Sequence, residues 1–127
     1  MTPRDPVLFL HDMLDCAQFL QSQLPGKTLD DYRSDRLLRS AVQRELTVIG
    51  EALYTLNKSH PAIAQSFDEH QAIITFRHIL VHGYHTLDAT IVWNVVTDKL
   101  SPLIEQLKAR IAELDPPQSQ DSTDTAN

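Results

Sequence analysis

Leu37, Leu38, Ala41, Val42, Val48, Ile49, Ala52, Leu53 and Leu56 recur with the period of an α-helix, and this limits the possible folds more than any other feature. At about 100° per residue they fill an arc of roughly 180°, one apolar side of a helix expected from about Leu29 or Ser34 to Asn57. Composition points the same way. The chain has 127 residues, three glycines and many Leu, Ala, Ile, Gln and Glu residues, which favours helix over sheet in one domain. A first helix is expected over residues 7–23, where Leu10, Leu14, Ala17 and Leu20 keep helical spacing until Pro25-Gly26. His60-Pro61 ends the second helix, and residues 61–67 read as a short helical turn. A third runs from Asp68 or Glu69 to His82. Beyond a loop at Thr86-Leu87, Asp88 N-caps a fourth helix over residues 89–114, which Pro102 kinks or divides. Trp93, Val96, Leu100, Leu103, Leu107 and Ile111 form its core face. The expected fold is therefore an all-α, up-and-down bundle of four to five helices over residues 1–114. A polar tail at 115–127, without a large apolar residue, is expected to be disordered.

Two residues of the long second helix break its apolar pattern. Glu45 lies near the middle of the arc, where a carboxylate is costly unless it is paired. Either the arc faces a subunit interface or a wet cleft, or Glu45 holds an arginine or histidine such as Arg77. Gly50 lowers helix propensity but lets another helix approach closely. Arg44 and Glu51 fall within about 20° of each other at the edge of the arc.

The formal net charge of −6 excludes broad electrostatic attraction to nucleic acid, though not a local basic patch. Arg33, Arg36, Arg39 and Arg44 form such a cluster in sequence, and a solvated helix face accounts for them equally well. A single cysteine, Cys16, rules out an intrachain disulfide and fits a reducing compartment. Cys16 and His11 read as structural or surface residues of the first helix. No apolar run is long enough to span a bilayer and no signal pattern opens the chain, so a cytoplasmic protein is expected.

The chemistry concentrates in Phe76-Arg77-His78-Ile79-Leu80-Val81-His82-Gly83-Tyr84-His85, which holds three of the six histidines. With Arg77 at zero, Ile79, Phe76, Leu80 and Ile73 spread over roughly 200–320° as a core-facing stripe. His78 and His82 then lie near about 100° and 140°, one turn apart on the polar side. Arginine offers phosphate a permanently charged planar fork, and histidine titrates near neutrality. Together they suit cleavage of a phosphodiester. An exposed helix face without a partner is the plainer alternative. The spacing His78-x-x-x-His82 also occurs in zinc helices, but no Glu follows His78, the cysteine is remote, and Arg77 repels a cation. No metal or cofactor is expected.

Arg77, His82 and Tyr84 reproduce the Arg-x4-His-x-Tyr signature of HEPN domains. The run from Arg77 to Tyr84, with Leu87-Asp88 and Ile91-Val92-Trp93, resembles the HepT-like (DUF86) branch. Ala41-Val42-Gln43-Arg44-Glu45-Leu46 leading to Ile49-Gly50-Glu51-Ala52 is similar to that branch too, so the likeness covers about residues 7–114. It implies a helical, dimeric, metal-independent ribonuclease, the toxin of a pair whose antitoxin is a minimal nucleotidyltransferase (MNT). The implied catalytic residues are Arg77 and His82, with His78, Tyr84 and Glu45 supporting, and RNA is the implied substrate. A homodimer bringing two motifs into one cleft supplies both base and acid. The resemblance further implies that the partner transfers AMP to Tyr84, whose hydroxyl lies beyond Gly83. His78 departs from the family, where Asn is common at that position, and this leaves its role open. The competing class is a non-catalytic nucleotide-binding or regulatory subunit of a nucleotidyltransferase.

Overall fold

The computed structural model describes residues 4–82 and 88–115, and among them it is all-α, without a strand. Gly83, Tyr84 and the Thr86-Leu87 loop lie outside the described residues, as does the tail from 116 onward. Seven helices are present there: α1 Pro6–Gln23, α2 Leu29–Ser34, α3 Arg36–Ser59, α4 Pro61–Ala64, α5 His70–His82, α6 Ala89–Asp98 and α7 Leu100–Leu114. Four long units match the expected bundle: α1, α3, α5 and the α6–α7 pair. Helix α1 packs against α3 and α7, while α5 lies along α3. Leu10, Met13 and Ala17 of α1, Val42, Leu53 and Leu56 of α3, and Leu107 of α7 are wholly excluded from solvent in the shared core. Among the described residues no helix is long and apolar enough to cross a membrane.

The helix expected from Leu29 or Ser34 to Asn57 is two helices, divided at Asp35. Thr28 and Asp31 form a reciprocal capping box that starts α2. Asp35 is extended and turns its carboxylate on α3, accepting from the amides of Leu37 and Leu38 at 3.0 and 3.1 Å. The break lets α2 swing Tyr32 into the core. Its hydroxyl accepts from Gln43 Nε2 at 3.2 Å, and its ring meets Trp93 of α6 at 5.6 Å between centroids. Such an aromatic pair contributes about 0.5–1.5 kcal/mol beyond its buried area. Arg39 donates to the carbonyls of Tyr32 and Arg33 and closes the end of α2.

The fourth expected helix also divides, at Lys99 rather than at Pro102. Proline has no N–H, so Pro102 cannot donate to the Asp98 carbonyl one turn earlier. It occupies the first turn of α7, where that N–H has no helical partner in any case. Asp88 caps α6 as expected, accepting from the Thr90 amide at 2.8 Å.

Asp35→Ala removes both cap bonds and is expected to cost about 1 kcal/mol. A lower urea midpoint with an unchanged slope would record it, and an unchanged midpoint would show that the division needs no cap.

Candidate functional site

Helix α5 sits differently from the orientation that its apolar residues suggest. Only Leu80 is fully buried, with Ile73, Ile74 and Phe76 partly buried against the core, whereas Ile79 is 40% exposed. The inward side is thus rotated toward Arg77. Ile79, expected in the core stripe, faces outward, and Arg77, expected on a polar edge, lies against α3 with its side chain 18% exposed. Gly50 makes this possible. A Cβ built there would come within 2.3 Å of the Arg77 Cβ and 2.8 Å of its Cγ. The two helix surfaces therefore touch at a position where only a hydrogen fits.

At that contact the Arg77 guanidinium has two partners on α3. Its Nη2 donates to Glu51 Oε2 at 3.0 Å, and its Cζ lies 4.5 Å from the centroid of the Tyr54 ring. The Lys58 ammonium lies 4.4 Å from the same ring centroid. Arg77 Nε is buried with no hydrogen-bond partner among the described residues. An ion pair whose carboxylate side chain is 45% exposed adds only about 0–1 kcal/mol. Its larger effect is to fix the direction of the guanidinium. Arg44, Glu51 and Lys58 follow one another at seven-residue intervals along one stripe of α3, and of its two cations Lys58 shares the Tyr54 ring with Arg77.

His78 and His82 occupy the exposed face of α5, their ring centroids 4.6 Å apart. They are brought together with each other and not with Arg77. Arg77 and His82 are separated by about 140° around the helix, and among the described residues no hydrogen bond joins them. Tyr84 lies outside the described residues.

Glu45 is not the partner of Arg77. The helices meet at Gly50, which places Glu51, the next residue, beside the guanidinium, while Glu45 lies about 9 Å back along the axis. Glu45 instead lies beside Cys16 of α1. Burial pushes the Cys16 thiol up to about 12, and the neighbouring Glu45 carboxylate and the charges of Asp15 and Asp12 add to the shift. Cys16 is therefore a neutral core thiol. Arg77's actual partners, Glu51 and Tyr54, were not picked out as site residues from the sequence; the signal was Gly50 immediately before Glu51. Of the arginine cluster, Arg33 bonds Thr90 and Arg39 closes α2, which leaves Arg36 and Arg44 exposed.

An apolar groove of about 310 Å³ runs between α3, α5 and the α6–α7 junction, lined by Leu46, Ile49, Ile73, Phe76 and Leu103 among others. Lys99, paired with Glu69 at 3.3 Å, is the one cation on its rim among the described residues. Its walls offer little to a phosphate. Arg77, His78 and His82, the residues expected to form the site, lie on α5 instead.

Two outcomes test this geometry. Gly50→Ala is expected to destabilise the protein by about 1–3 kcal/mol through overpacking, despite the ~1 kcal/mol that helix propensity returns to alanine. Thermal melting reads the sign, and a stabilised variant would contradict the close contact. At pH 8 a thiol reagent should label Cys16 only as fast as the protein unfolds. Because its proton is held more tightly in the folded state, the stability it contributes is complete below about pH 9 and declines as the pH rises toward 12. Urea titrations at stepped pH would show that decline.

The profile of the ribonuclease HepT-like family matches residues 13–110. A Methanocaldococcus jannaschii protein named as a gamma-glutamylcyclotransferase and candidate RNase is 27% identical over 115 residues, covering 88% of this chain and 50% of that protein. The chain thus spans about half the length of that relative. A second protein of the same organism, named as a candidate RNase, is 24% identical over 110 residues, with 85% of this chain and 98% of the relative covered. A candidate RNase of Caldanaerobacter subterraneus is 27% identical over 113 residues, covering 84% and 92%. No solved structure matches significantly. With the profile spanning more than three-quarters of an all-α chain, the protein belongs to the HepT-like ribonuclease family.

Proposed function

We propose that this protein is a metal-independent endoribonuclease, the toxin of a HEPN/MNT toxin–antitoxin pair acting in the cytoplasm, and that residues 1–114 are its working domain. The observation that carries the reading is Arg77, an arginine held at a helix contact with its fork directed by Glu51, on the same helix as exposed His78 and His82. Family membership and the relatives named as candidate RNases support RNA as the substrate.

In this mechanism His82 accepts the proton of the RNA 2′-hydroxyl as that oxygen attacks the adjacent phosphorus. The bond to the 5′-oxygen breaks, that oxygen takes a proton from a second acid, and a 2′,3′-cyclic phosphate remains. Arg77 stabilises the charge that builds on the phosphoryl oxygens. One His82 cannot be base and acid in the same step. Arg77 and His82 of one chain also diverge around the helix, so a homodimer that pools two motifs in one cleft supplies both groups. His78, whose tilted ring packs against that of His82, steadies it. The need for a 2′-hydroxyl selects RNA over DNA. Regulation follows at Tyr84. Its phenolic oxygen attacks the α-phosphorus of ATP on the partner nucleotidyltransferase, pyrophosphate leaves, and the attached phosphate pairs with Arg77 and fills the site.

Purified protein incubated with RNA and EDTA tests the reading. Arg77→Ala and His82→Ala should each lose about a hundredfold or more of the cleavage rate while remaining folded. Arg77→Lys should be severely impaired as well, because an ammonium lacks the planar fork. Full activity of His82→Ala would sink the nuclease reading, and activity lost only on adding EDTA would point to a metal. A protein that binds nucleotide without cleaving RNA would be the regulatory subunit instead. After co-expression with the partner, mass spectrometry should find a Tyr84 peptide heavier by one AMP group, and an unmodified peptide would overturn the regulatory step.

A further inference from the structure

We infer that Glu51 and Tyr54 are positioning residues for Arg77, a carboxylate-and-ring clamp on α3 that sets the plane and direction of the guanidinium before RNA arrives. The inference rests on the ribonuclease reading for what the fork is directed at, but the clamp itself is a statement about side-chain geometry.

Glu51 and Tyr54 are three residues apart on α3, neighbours on one helix face. The carboxylate takes one Nη2 hydrogen at 3.0 Å, and the ring covers the guanidinium carbon at 4.5 Å. A hydrogen bond at one fork nitrogen and a ring against the guanidinium carbon restrain the group at two different points, so together they limit its orientation. Close approach at Gly50 fixes the root of the side chain by confining its Cβ and Cγ. Root, plane and tip are all restrained. Contribution to stability does not account for the arrangement, because the Glu51 side chain is 45% exposed and Arg77 Nε is left buried without a partner among the described residues. A side chain held in that way is better explained by what its remaining donors must meet.

The opposite role for Glu51 is a competitor that occupies Arg77 and must be displaced by phosphate. The two roles predict opposite signs. As a positioning residue, Glu51 should give Glu51→Ala a kcat about ten- to a hundredfold lower with KM changed by no more than about twofold, since misdirected groups act on the transition state. Glu51→Gln, which keeps an acceptor oxygen without the charge, should recover most of the rate. Tyr54→Leu, which removes the ring, should fall in kcat as Glu51→Ala does. Melting temperatures should stay close to that of the parent, which separates misdirection from unfolding. Glu51→Ala cleaving as fast as the parent, or faster, would overturn the clamp.

A second measurement needs no activity. In NMR of the arginine side chains, Arg77, assigned by its loss in Arg77→Ala, should show separate, slowly exchanging Nη–H signals in the parent that merge in Glu51→Ala. Signals already averaged in the parent, or unchanged in Glu51→Ala, would overturn the clamp. If the parent cleaves no RNA, the nuclease reading fails while these signals still decide the inference.

Discussion

Helix α5 carries the arginine and histidines of the site, yet only Leu80 of its thirteen residues is fully buried. Such a helix is weakly seated by its apolar side alone, and its rotation about its own axis is set where it touches α3 most closely. That place is Gly50, where the absence of a side chain brings the Arg77 Cβ against the α3 backbone. Everything else about the site follows from this contact. It turns Arg77 inward to Glu51 and Tyr54, leaves Ile79 in solvent, and presents His78 and His82 on the outer face.

The charge distribution follows a similar local logic. An overall charge of −6 provides no general attraction for a polyanion. The arginines clustered in sequence do not form one patch: Arg39 satisfies the end of α2 and Arg33 joins α2 to α6. The two cations that share the Tyr54 ring come from different helices, Arg77 from α5 and Lys58 from α3. Helical repeat along α3 and packing against α5 bring them near one another, which their order in the chain does not.

Much of the fold was legible in the chain because helices report themselves through local periodicity. The apolar arc of α3, the cap at Asp88 and the end of α1 near Pro25-Gly26 all follow from residues within a few positions of each other. The breaks were less so. Asp35 in the middle of an apolar repeat reads as one more surface position until Tyr32 is seen in the core, and it is that burial which makes stopping α2 worthwhile. Pro102 signalled a disturbance, but the helix divides three residues earlier, where the missing N–H is felt.

For the site, the sequence alone determined that Arg77, His78 and His82 share one helix, as their spacing and the 3.6-residue turn imply, and that Gly50 would allow a close approach. It also carried the family resemblance, because the motif is contiguous. Only the tertiary structure decided which side of α5 faces α3, and hence that Glu51 rather than Glu45 meets Arg77 and that Tyr54 lies beneath it. Periodicity gives the angles between residues on one helix but not the rotation of that helix against another. A lone carboxylate in an apolar arc can be satisfied by any neighbour the packing brings, and for Glu45 the packing brought Cys16.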